Sequence, residues 1–102
     1  STVEPIESAI AVPRRQVLDV RRTGEWDGGH VAGSLNVALS ELPARAATLD
    51  RDVEWVVMCA SGYRSSIATS VLERAGFTRV INGAGGVDAL KLAGHALESV
   101  QR

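Results

Sequence analysis

Cysteine is almost absent from this chain. A single one in 102 residues excludes an intramolecular disulfide and any metal centre built on clustered thiolates. Aromatic residues are scarce as well, at 4%, so the core must be assembled mainly from Val, Leu, Ile and Ala. With 45% hydrophobic residues there is enough apolar side chain to do so. A surplus of either charge is missing too. Eleven Lys and Arg against 12 Asp and Glu leave a formal net charge of −1, which argues against a general binder of nucleic acid or of anionic membranes. No apolar run approaches the ~20 residues of a membrane-spanning helix. The N-terminus lacks the charged-then-apolar pattern of a secretory leader, and a cytoplasmic setting is the expectation. The length suits one compact domain over residues 1–102. Because the chain starts at Ser1 rather than Met, a processed product or a domain of a longer polypeptide is expected.

The one cysteine stands in the most informative segment, Val56-Val57-Met58-Cys59-Ala60-Ser61-Gly62-Tyr63-Arg64-Ser65-Ser66. An apolar run ends on Cys59, a short loop containing Gly62 follows, and a helical pattern begins near Ser65. That order puts a thiol at the carboxyl end of a strand and beside the amino end of a helix, where unpaired N–H groups and the helix dipole favour an anion. Arg64 adds a positive charge. Such surroundings lower a thiol pKa from about 8.5 to roughly 3.5–7.5 and so expose a thiolate nucleophile. A lone cysteine at a strand end is more commonly a small buried apolar group. The loop glycine, the arginine five residues on and the helix start directly after set Cys59 apart from that case.

The rest of the chain alternates strand and helix signals. Val3 to Ala11 reads as a short helix entered at Pro5, and Gln16 to Val20 as a buried strand. Thr23 to Trp26 is a helical turn stopped by Gly28-Gly29, and Leu35 to Val37 a short strand. Ser40 is a candidate N-cap for a helix from Glu41 to Leu49. Glu54 to Cys59 is the central apolar strand. Ser65 to Ala75 is an amphipathic helix ended at Gly76, with Phe77 folding back. Arg79 to Ile81 is a further strand, Asn82 to Gly86 a glycine-rich turn, and Val87 to Ala93 a last short helix. The alternation predicts an α/β domain of three layers, a mainly parallel central sheet flanked by helices. In such sheets ligands bind beyond the carboxyl ends of the strands, where Cys59 lies.

Other candidates weigh less. Asn82-Gly83-Ala84-Gly85-Gly86 lacks the Lys-Ser/Thr of a phosphate loop and reads as a tight turn. His30 has only the isolated His95 for a metal-binding companion, and is expected to be structural. Asp19 and Arg21 end a strand and are expected to organise the loops around the site. Trp26 and Tyr63 suit either the rim of a pocket or ordinary packing, and Arg14, Arg15 and Arg22 a solvated face.

The loop Cys59-Ala60-Ser61-Gly62-Tyr63-Arg64-Ser65 resembles the Cys-x-x-Gly-x-Arg-Ser active-site loop of rhodanese-type sulfurtransferases. Leu18-Asp19-Val20-Arg21 with Glu25-Trp26 is similar to that family's first motif, and Gly29-His30-Val31-Ala32-Gly33-Ser34-Leu35-Asn36-Val37 to its second. Ala75-Gly76-Phe77 and Gly85-Gly86 stand where the family has an Ala-Gly-aromatic helix end and a Gly-Gly turn. The resemblance runs from Val17 to Glu98. It departs at Leu90, where the family commonly has Trp, and at Ala96, where it has Pro.

The resemblance implies a thiosulfate sulfurtransferase in which Cys59 accepts a sulfane sulfur from a small-molecule donor. The resulting persulfide passes it to cyanide, glutathione or a protein thiol. The backbone amides of Ala60, Ser61, Gly62, Tyr63, Arg64 and Ser65 would curl around the terminal sulfur. Arg64, with Arg21 at the pocket mouth, would bind an anionic donor. No metal or organic cofactor is implied. Two rival readings go with it. One is a dual-specificity phosphatase of related fold, whose Cys-x-x-x-x-x-Arg loop is one residue longer than the Cys59–Arg64 spacing. The other is a non-catalytic or accessory module of a larger protein, fused to or partnered with a domain of sulfur metabolism.

Overall fold

A computed structural model describes residues 1–101. Five strands form one sheet: β1 (Thr2–Pro5), β2 (Gln16–Asp19), β3 (Leu35–Asn36), β4 (Trp55–Met58) and β5 (Val80–Ala84). Their order is β1-β5-β4-β2-β3, and every pairing is parallel. The helices are α1 (Ile6–Ile10), α2 (Thr23–Gly28), α3 (Leu42–Arg45), α4 (Tyr63–Arg74) and α5 (Gly86–Leu92). The expected α/β architecture is therefore present, with β4 in the middle of the sheet.

All four residues of β4 are buried because both faces of the sheet are covered, the arrangement that gives parallel strands continuous apolar runs. Alternation along the strand divides them. Val56 and Met58 pack with Ile6, Ala9, Ile81, Val87 and Leu90, under α1 and α5. Trp55 and Val57 pack with Leu42, Ala46, Ala68, Leu72 and Phe77, under α3 and α4. Cys59 continues the second set, so the residue after the strand points toward the face that α4 covers. The Phe77 amide donates to the Leu72 carbonyl at 3.0 Å, and Phe77 folds back into this core as expected.

Four elements differ from their sequence expectation. Val3 to Pro5 is strand rather than helix. β5 needs a partner on its outer side, and Thr2 to Pro5 pair with Ile81 to Ala84; an edge strand tolerates Pro5, which has no N–H to offer the ladder. The expected helix from Glu41 to Leu49 is broken into 3₁₀ turns at Leu39–Glu41 and Ala46–Thr48 around the single α-turn of α3. Ser40 lies inside the first of those turns and caps nothing. Asn82, Gly83 and Ala84 belong to β5, so the glycine-rich turn begins only at Gly85. The cysteine helix also starts two residues early, at Tyr63. Among the described residues, no helix is long and apolar enough to cross a membrane.

Candidate active site

β4 ends at Met58 and delivers Cys59 to the carboxyl edge of the sheet, between the ends of β2 and β5. The chain must then turn at once into α4. Gly62 makes that possible with φ +118°, a left-handed conformation that side-chain-bearing residues resist. The consequence is a loop whose donors face inward. The Gly62 amide donates to Cys59 Sγ at 3.0 Å and the Ser65 amide at 3.3 Å. Burial by itself would push the thiol up, since Cys59 is only 1% exposed. The Ser65 amide and hydroxyl, with the Gly62 and Ser61 amides, more than reverse this and hold the thiol below its ordinary value. The donors at the helix end are therefore what favours the ionised form of Cys59.

Two further elements brace the loop. The first amides of α5 grip it from one side. Val87 N–H donates to the Cys59 carbonyl and Asp88 N–H to the Ala60 carbonyl, both at 2.9 Å. Gly86 is the residue that lets the two backbones meet, because a Cβ there would run into the carbonyl oxygens of Cys59 and Ala60. From β5, Asn82 Oδ1 lies 2.8 Å from Ser65 Oγ, and the Gly62 carbonyl lies 3.0 Å from the same hydroxyl. Asn82 is hidden at the level of sequence because the glycines that follow it read as a turn. The signal that could have found it is a polar side chain continuing the apolar pair Val80-Ile81 of a buried strand.

The arginines are both engaged. Arg21, 5% exposed, makes a forked pair with Asp19, which is fully buried, at 2.8–3.1 Å. Its remaining donors reach the Gly29 carbonyl at 2.7 Å and the Glu25 carbonyl at 3.3 Å. Asn36 ties the same corner by donating to the Asp19 and Arg21 carbonyls. Arg64 turns toward α2, where its two terminal nitrogens meet Glu25 Oε1 at 2.7 Å and Oε2 at 3.0 Å. Glu25 also accepts from the Arg22 amide at 3.1 Å. Hydrogen bonding from Arg64 is the main reason the Glu25 carboxyl is lowered to about 2. Reciprocally, the pair with Glu25, and more weakly the field of Cys59, holds the Arg64 guanidinium above its usual range.

The remaining candidates fall around this centre. Tyr63, 76% exposed, stands at the surface at the start of α4. Trp26 stacks on His30 with ring centroids 3.6 Å apart and donates through Nε1 to Ser34 Oγ at 3.0 Å. His30 Nδ1 lies 2.8 Å from the Trp26 carbonyl oxygen, which can only accept, so that nitrogen carries the proton. His30 is thus a packed, hydrogen-bonded residue, bridged through its backbone to Glu98. A cavity of about 670 Å³ is lined by Val20, Arg22, Glu25, Leu39, Ser40 and Arg64. A second, of about 310 Å³, is lined by Arg21, Glu25, Ala60, Asp88 and Lys91 among others. Glu25 borders both.

Comparison with known proteins agrees with the fold. Residues 2–93 match the family model described as a rhodanese-like domain. The Bacillus subtilis (strain 168) protein YrkF is 36% identical over 66 residues, which is 65% of this chain. The chain spans only 36% of that relative's length. The thiosulfate sulfurtransferase PspE of Escherichia coli (strain K12) is 34% identical over 70 residues, 67% of each chain. Among solved structures, a rhodanese-related protein from Thermoplasma volcanium superposes with a TM-score of 0.89 at 28% identity, covering 96% of this chain and 98% of that one.

Proposed function

This chain belongs to the rhodanese-like domain family, and from that membership we propose that it moves a sulfane sulfur from a donor such as thiosulfate to a thiophilic acceptor through Cys59. The observation that carries the proposal is the convergence of the Gly62 and Ser65 amides on Cys59 Sγ at 3.0 and 3.3 Å. Those donors are in place before any charge moves, which is what stabilises an anion at low reorganisation cost. In the first step the Cys59 thiolate attacks the outer sulfur of thiosulfate. A new S–S bond forms to Cys59, the old S–S bond breaks, and sulfite leaves with the bonding electrons. In the second step cyanide or a thiolate attacks the terminal sulfur of the Cys59 persulfide, and the thiolate is regenerated. Ala60, Ser61, Gly62, Tyr63 and Ser65 supply the backbone cradle in this reading. Arg64 is the cation an anionic donor would meet, with Glu25 already on its guanidinium, and Arg21 fixes the corner of the pocket.

The test is thiocyanate formation from thiosulfate and cyanide by the wild type and by Cys59→Ala, with intact-mass spectrometry after thiosulfate alone. One added sulfur on the wild type and none on the variant is the expected result. An unmodified wild type would remove the proposal. A second reading, an accessory module within a longer protein, is favoured by the greater length of YrkF. It would leave the persulfide absent while the fold is intact.

A further inference from the structure

The charges lining the two cavities beside the cysteine loop are nearly in balance, and one residue decides that balance. Arg21, Arg22, Arg64 and Lys91 line them; against these stand Glu25 and Asp88, with Asp19 paired to Arg21 behind. Asp19 is wholly buried and permanently committed to Arg21. Asp88 lies on α5, in the smaller cavity alone. Glu25 differs from both. Its side chain is 37% exposed, it borders both cavities, and it occupies both terminal nitrogens of Arg64, the cation in the first turn of α4 directly after the cysteine loop. Any anion approaching Arg64 must compete with a carboxylate already seated there in forked geometry, the strongest arrangement available to a guanidinium.

We propose that Glu25 is a specificity-determining residue: by holding Arg64 in a forked ion pair it makes the site discriminate against small dianions and in favour of donors that bring their sulfane sulfur with one negative charge or none. The inference deepens the sulfurtransferase reading and rests on it for the word donor, but its electrostatic content does not require turnover. Glu25 touches no reacting atom. It acts through Arg64, and its removal leaves the surrounding charges one unit more positive, with a guanidinium free to point at the substrate.

Glu25→Gln tests this while keeping the shape and one acceptor oxygen. The first readout is the ratio of the alkylation rate constants of Cys59 with iodoacetate and with iodoacetamide, two reagents of similar size that differ in charge. Glu25→Gln should raise that ratio roughly threefold to tenfold, the scale of one partly solvated charge at close range. Glu25→Asp should return it toward the wild-type value, and Arg64→Ala should lower it. The second readout is the KM for thiosulfate, expected to fall by a similar factor in Glu25→Gln with kcat little changed. An unchanged or lowered iodoacetate-to-iodoacetamide ratio overturns the proposal. If the wild type forms no thiocyanate at all, the sulfurtransferase reading fails, while the alkylation ratio still decides the role of Glu25.

Discussion

Gly86 stands directly against the main chain of Cys59. A methyl group on it would collide with the Cys59 carbonyl oxygen and come within 2.7 Å of that of Ala60. Backbone cannot retreat as a flexible side chain can. Gly86→Ala should therefore push α5 off the cysteine loop and break the bonds from Val87 and Asp88. Overpacking of this kind costs about 1–3 kcal/mol, and φ +55° at Gly86 adds strain. The effect on thiol reactivity should be larger than the effect on stability, because Cys59 itself shifts. Denaturant unfolding and iodoacetamide kinetics on the same variant check this. Gly24→Ala, where no atom lies within 4 Å of the new methyl, should leave both unchanged. Equal loss in the two variants would contradict the argument.

The Ser65 hydroxyl has one proton and two acceptors, Asn82 Oδ1 at 2.8 Å and the Gly62 carbonyl at 3.0 Å. Asn82 thereby orients the residue whose amide and hydroxyl lower the Cys59 thiol. Ser65→Ala should raise the pH midpoint of Cys59 alkylation above that of the wild type, whereas Asn82→Ala, which removes only an acceptor of the Ser65 proton, should not raise it. The sign follows from the acid. Donors favour the thiolate, so losing one returns the proton. A midpoint that moves downward in Ser65→Ala would sink this assignment.

How far the sequence disclosed all this depends on the length scale of each interaction. Cys59, its glycine loop and the following helix are contiguous, so a strand-loop-helix pattern located them. Packing on both faces made β4 an unbroken apolar run, equally visible. What stayed hidden comes from distant segments meeting. The Glu25–Arg64 pair joins residues 39 apart, and nothing in either local pattern announces it. Thr2 to Pro5 has no strand signature of its own and becomes a strand only because β5 offers an edge. The segment from Glu41 to Leu49 has helical periodicity, yet it folds as one short α-turn between two 3₁₀ turns.

Asp19 and Arg21 form the most deeply buried charge pair described, at 0% and 5% exposure. Asp19 also accepts from the Arg21 amide at 3.1 Å. Removing one partner strands the other in low dielectric, which costs about 3–5 kcal/mol. Asp19→Ala should destabilise the domain on that scale and loosen the corner that Arg21 ties to the Gly29 carbonyl. Arg21→Met, apolar and of similar length, leaves Asp19 buried and uncompensated and should be equally costly. The double variant Asp19→Leu/Arg21→Met should recover much of the loss, since it strands neither charge. Chemical denaturation of the three variants gives the comparison. Additive losses in the double variant would show that the pair is not the unit of stabilisation.

The Glu25–Arg64 contact has a signature at acid pH. The Glu25 carboxyl is held at about 2, against 4.5 for a free one. For a carboxylate whose folded pKa is depressed, the ionised partner stabilises the native state above the unfolded value. That contribution disappears as pH falls through the folded value. The window for this pair therefore runs from about pH 4.5 down to about pH 2. The contact is partly solvated, at 30% and 37% side-chain exposure, so salt should shrink the effect. Other carboxylates titrate over the same interval, which makes the difference between two proteins the informative quantity. Unfolding midpoints of wild type and Glu25→Gln, followed across the window at low and at high salt, should converge as the pH is lowered. At low salt the wild type should be the more stable at pH 4.5 and lose that advantage toward pH 2. Curves that stay parallel throughout would mean that Glu25 is no more ionised in the folded chain than in the unfolded one, and the forked pair with Arg64 would lose its energetic meaning.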